Sequence, residues 1–62
     1  MNKPKCKVVG EDGNIFAVLA KAKKSLVSAG QEDKVEEMKD RVFTSGSYHE
    51  ALGVIGDYVE MY

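Results

Sequence analysis

At 62 residues the chain is too short for two domains. A chain of that size buries only about 60% of the surface its unfolded form exposes, which leaves a lone monomer marginal. Cys6, the single cysteine, cannot form a disulfide within the chain, and one cysteine with one distant histidine, His49, makes no metal-ligand set, so no cofactor is expected.

The net charge of −1 conceals a division between the halves. Residues 1–30 carry Lys3, Lys5, Lys7, Lys21, Lys23 and Lys24 against Glu11 and Asp12, a net +4, whereas residues 31–62 carry Lys34, Lys39 and Arg41 against eight acids, a net −5. Two solvated faces of opposite sign account for this division, and so does a basic first half that meets an acidic partner or nucleic acid. A hydrophobic fraction of 44% is that of a folded globular domain rather than a disordered chain. An unpaired cysteine suits a reducing compartment. No apolar signal core follows the first lysines, and the longest apolar run, residues 15–20, is far short of the roughly 20 residues of a membrane span. A cytoplasmic domain covering residues 1–62, with no membrane segment, is the expectation.

Pro4 opens the ordered pattern. Cys6 and Val8 then alternate with Lys5 and Lys7, the period-two signature of a half-buried strand. Gly10-Glu11-Asp12-Gly13-Asn14 is a run of turn formers. Asn14 can accept a hydrogen bond from a first-turn amide, so a helix is predicted from there. Its apolar stripe is Ile15, Val18, Leu19, Ala22, Leu26 and Ala29, and Gly30 supplies the left-handed residue that ends it. A second helix is predicted from residues 31–33, with Glu32 and Asp33 at its positive end and Lys39 and Arg41 towards its negative end. Its apolar edge is thin: Val35, Met38 and Val42, with Phe43 at the exit. Glu37 and Arg41 stand at the favourable four-residue spacing. After Thr44-Ser45-Gly46, Ser47 and Glu50 match a reciprocal capping box, and a third helix is predicted with Tyr48, Ala51, Leu52, Ile55, Tyr58, Val59 and Tyr62 on its inner side. The expected fold is mainly α: a three-helix bundle with a short N-terminal β-strand.

Catalytic readings find little support. His49 needs a nucleophile within hydrogen-bond reach, and Cys6 serves only if the fold brings the two together. A small buried strand cysteine is the commoner case, so a non-enzyme is expected. The loop at residues 10–14 joins a strand to a helix N-terminus, but Glu11 and Asp12 would repel phosphate and no lysine stands in the P-loop position. A helix-turn-helix reading of the second and third helices fails because the presumed recognition helix carries Glu50, Asp57 and Glu60 and no lysine or arginine.

The lone strand must pair with something, since its amides and carbonyls need partners. Three routes are open: a short hairpin on residues 14–16, pairing with its own copy in a two-fold dimer, or addition to a partner's sheet. Gly53 and Gly56 inside a helix cost about 1 kcal/mol each. Close packing against Ala20 or Ala22 of the first helix is the expected reason, and a shallow surface open to another protein is the alternative.

The strand-turn-helix opening over residues 6–14, the Ser45-Gly46-Ser47-Tyr48-His49-Glu50-Ala51-Leu52 turn and the closing Tyr58-Val59-Glu60 together resemble a family of short uncharacterised proteins. These are encoded by Gram-positive, mainly clostridial, bacteria, often on mobile elements. The resemblance spans nearly the whole chain. It implies a cytosolic bacterial protein with an accessory role in phage or conjugative biology, and it carries no activity, cofactor or functional residue.

The reading that follows is a non-enzymatic protein-interaction module, a small accessory or regulatory factor expected to form a homodimer through its N-terminal strand. Its expected contacts with an unidentified protein partner are Cys6, Lys7, Val8, Tyr58, Met61 and Tyr62. The alternative is weak, sequence-tolerant nucleic-acid binding through Lys21, Lys23 and Lys24, helped by the arm of Lys3, Lys5 and Lys7.

Overall fold

A computed structural model, which describes residues 3–8 and 14–62, has the element order β1 (Lys5–Cys6), α1 (Ile15–Ser28), α2 (Val35–Thr44), α3 (Tyr48–Gly56) and β2 (Glu60–Met61), with one turn of 3₁₀ helix at Glu32–Lys34 leading into α2. The fold is mainly α, three helices with a short strand pair. Val9 and the turn expected at residues 10–13 lie outside the described residues.

α1 begins and ends for the reasons its sequence suggests. Asn14 Oδ1 accepts from the amides of Phe16 at 3.1 Å and Ala17 at 3.2 Å. Gly30 takes φ +75°, with its amide bonded to Val27 O at 3.1 Å and the Gln31 amide to Leu26 O at 2.8 Å, the paired closure of a glycine-ended helix. Val18, Leu19, Ala22 and Leu26 of the predicted stripe are buried, whereas Ala29, past the last turn, is exposed. α2 inserts its thin edge as expected, with Val35, Met38 and Val42 all buried. Ser47 Oγ caps α3 through the Glu50 amide at 3.1 Å, but the Glu50 carboxylate reaches back to the Gly46 amide at 3.4 Å, one residue earlier than a reciprocal box would place it.

The third helix is shorter than predicted. α3 stops at Gly56, and residues 60–61 form β2, which pairs in parallel with β1 in the register Lys5↔Glu60 and Cys6↔Met61. The amides of Glu60 and Tyr62 donate to Pro4 O at 2.8 Å and Cys6 O at 3.0 Å, and the Val8 amide donates to Tyr62 O at 2.8 Å. The strand's partner is therefore in the same chain, a fourth route beside the three weighed above. Parallel strands need a long crossover, and here all three helices provide it. Two weak helix formers, Gly53 and Gly56, let α3 end, and the backbone groups of β1 gain partners that a longer helix would have withheld. The need of β1 for an intermolecular partner, the original reason for a strand-paired dimer, is thereby removed on one edge.

Among the described residues twelve apolar side chains form the core: Cys6 from β1, four from α1, three from α2, Ala51 and Ile55 from α3, and Tyr58 and Val59 from the segment that follows. Close packing does not explain the glycines. A Cβ at Gly53 would meet nothing within 4 Å, and one at Gly56 would make only an ordinary contact with Met61 Cε at 3.5 Å.

Candidate interaction surfaces

Tyr58 links α2 to the crossover into β2. Its ring is buried, and its hydroxyl donates to Glu37 Oε2 while accepting from Arg41 at 3.2 Å. Arg41 also donates to Asp57 Oδ2 at 2.9 Å and lies over the Tyr58 ring at 5.5 Å, where the ring's negative face attracts it. Glu37 and Arg41 thus meet through the tyrosine hydroxyl, where the sequence suggested a direct ion pair. Burial first, and then the bond to Glu37, push the Tyr58 hydroxyl above the ordinary tyrosine range against the opposing pull of Arg41. This cluster holds the fold together. Tyr58 is 7% exposed and Cys6 2% exposed, so their side chains belong to the core, where the sequence suggested contacts, although Cys6 also forms part of the wall of the basic groove described below.

The other three expected contact residues of the apolar set do come together. Val8, Met61 and Tyr62 line a groove of about 250 Å³ with Val18, Tyr48 and Leu52. The ladder positions them: β2 carries Met61 and Tyr62 alongside β1, and α3 brings up Tyr48 and Leu52. Tyr48, predicted on the inner side, stands 38% exposed at the rim. It also lines a second recess, of about 330 Å³, with Ile15, Phe16, Val42, Phe43 and Ala51. Phe16 is 66% exposed and Phe43 59% exposed, with ring centroids 6.4 Å apart and planes inclined at 46°. One apolar surface therefore runs from Phe43 and Phe16 across Tyr48 to Tyr62. Sequence reasoning passed over Phe16 and Phe43 as contacts. The signal was present, since each is a large aromatic beside, not on, the apolar stripe of its helix.

Charge gathers elsewhere. Pro4, Lys5, Cys6 and Lys7 form one wall of a shallow groove of about 490 Å³, and Lys21, Lys24, Ser25, Ser28 and Ala29 form the other. Lys21, Lys24, Ser25 and Ser28 follow the three- and four-residue spacing of one helix face, which is why α1 presents them together. Lys23 faces away from that stripe and lines neither groove. Lys3 is also absent from the basic groove; its Nζ donates to Gly56 O at 2.7 Å, at the negative end of α3. His49 is exposed near the start of α3, whereas Cys6 is buried under β1, so the fold does not offer the thiol for attack. Among the described residues, no helix is long and apolar enough to cross a membrane.

Compared with protein-family models, curated proteins and solved structures, the chain matches none.

Proposed function

We propose that this chain is a non-enzymatic protein-interaction module, a small accessory or regulatory factor, whose contact face is the aromatic surface joining Phe16, Phe43, Tyr48 and Tyr62. The observation that carries the reading is the exposure of those four rings along two adjoining apolar recesses. Large exposed aromatics are the residues that dominate the energetics of protein contacts, and soluble monomers rarely leave them clustered. A second copy of the chain is the occupant assigned to this face. A domain of this size has a small core, and a two-fold contact would cover the same rings from both sides. The family resemblance adds a cytoplasmic bacterial setting and an accessory role on mobile elements.

Sedimentation of the purified protein across micromolar to submillimolar concentration tests this directly. The expected result is a dimer that the double change Phe16→Ser, Phe43→Ser converts to a folded monomer. A wild-type monomer throughout that range would refute self-association through this face.

Nucleic-acid binding stands as the second reading, favoured by the meeting of Lys5 and Lys7 with Lys21 and Lys24 at one groove. Capture of the tagged protein's partners from its host lysate, with and without nuclease, separates the two. Retention of a defined protein after nuclease supports the interaction module, and loss of all retention with nuclease supports the alternative.

A further inference from the structure

The parallel ladder leaves the basic groove with a second property besides charge. In a parallel strand, the N–H and C=O of one residue point to the same side, and those of the next residue to the other. Pro4 O, Cys6 O and the Val8 amide all point to β2. The backbone groups of Lys5 and Lys7 accordingly point away from β2, and among the described residues they have no ladder partner. Four consecutive residues of the β1 segment line the basic groove and no residue of β2 does, so the groove runs along this outer edge. The edge thus offers two N–H donors and two C=O acceptors, with lysine side chains on the strand and Lys24, Ser25 and Ser28 on the helical wall opposite.

We propose that the groove between β1 and α1 takes an extended acidic segment of a partner protein, added as a third strand to the outer edge of β1. Backbone hydrogen bonds to Lys5 and Lys7 would supply the attachment, and carboxylates on the incoming strand would meet Lys5, Lys7 and Lys24. Among the described residues no acidic side chain lines the groove, so those walls offer the incoming charge no opposition. Self-pairing along this edge is disfavoured, because a second copy would bring its own Lys5 and Lys7 against the same residues, and like charges directly across a ladder destabilise it. Single-stranded nucleic acid is the poorer occupant for another reason: among the described residues no aromatic ring lines the groove to stack a base, and main-chain donors and acceptors in strand array match a peptide. This deepens the interaction-module reading and uses a different surface from the aromatic face.

The probes are a set of heptapeptides alternating Glu with Val, Thr or Ile, added to the isotope-labelled full chain and followed by amide shifts and hydrogen exchange. Binding is expected to slow exchange at the Lys5 and Lys7 amides, to shift the amides of residues 21–28, and to weaken as salt rises. Reversing Lys5 and Lys7 together to Glu, or Lys24 alone, should weaken it about ten-fold or more, since close opposite charges across an interface carry energies of that order. A peptide with N-methyl groups on its pairing edge should not bind. Binding that leaves the Lys5 and Lys7 amides unprotected, or that tolerates the N-methyl peptide, would reduce the groove to a non-specific cation patch and overturn the proposal. So would binding of none of the peptides at millimolar concentration, or preference for a thymidine decamer over all of them. The Phe16→Ser, Phe43→Ser variant is the internal control. It should bind the peptides normally whatever its oligomeric state, so failure at this groove and failure of the aromatic face are read separately.

Discussion

Replacing Tyr58 by Phe removes one hydroxyl and keeps the ring that fills the core. The hydroxyl donates to the Glu37 carboxylate and accepts from the Arg41 guanidinium, so both of its bonds have a charged partner. Hydrogen bonds to charged groups contribute about 1.5–3 kcal/mol net, and more when the partner they leave is buried. Glu37 and Arg41 are both exposed and regain water, and Arg41 keeps Asp57, so the lower end applies: about 1.5 kcal/mol. For a domain of this length that is a fall in Tm of about 10 °C. The effect also carries a pH signature. Because the folded-state pKa of Tyr58 is raised, the folded form holds its proton more tightly than the unfolded form does. The contribution of the hydroxyl is complete below the ordinary tyrosine pKa of about 10 and is lost as pH rises from there through the folded-state value. Urea unfolding of both proteins, followed by circular dichroism from pH 7 to pH 11.5 or so, reads this as a gap that is constant up to about pH 9.5 and narrows above it. A Tyr58→Phe protein as stable as wild type at pH 7 would refute the account of the cluster, and a gap that persists unchanged into the alkaline range would refute the assignment of the titration.

Gly53→Ala should raise stability by about 1 kcal/mol, because the new methyl meets no atom within 4 Å and alanine is the better helix former; thermal unfolding checks it, and destabilisation would restore the close-packing explanation. Val8→Pro deletes the donor to Tyr62 O and should cost about 1–2 kcal/mol while speeding hydrogen exchange at the Glu60 and Tyr62 amides. Unchanged exchange at those two amides would mean that the ladder does not hold β2.

The helices were legible because their reasons are local. Asn14 and Gly30 bracket α1, and Val35, Met38 and Val42 recur at the spacing that puts them on one face of α2, so caps and periodicity alone locate both elements. The end of α3 was not legible in the same way. Tyr58 and Val59 are inward whether the segment is helix or turn, so the burial pattern is satisfied by either, and the choice is made by β1, more than fifty residues away in sequence. Two glycines three apart, followed by a tyrosine- and valine-containing run, were the available hint. Cys6 is legible as a strand residue facing inward, and for that same reason its side chain belongs to the core and not to a contact face. The lysines were visible one by one, but their convergence depends on how β1 lies against α1, which no local pattern encodes.

β1 stands between the two proposed surfaces: Lys5 and Lys7 border the basic groove, and Val8 borders the apolar one. A strand added to its outer edge recognises the ladder only when β2 is in place, because β2 is what turns the Lys5 and Lys7 amides outward. Binding is therefore linked to folding. A ligand at one hundred times its Kd adds about 2.7 kcal/mol to the stability of the form it binds. A core of this size supplies only about 3–5 kcal/mol on its own. Occupancy of the groove would raise the stability of the domain by roughly half to nine-tenths, and the apolar groove beside it, lined by Val8 and by Met61 and Tyr62 of the same ladder, would be held in shape by the same event.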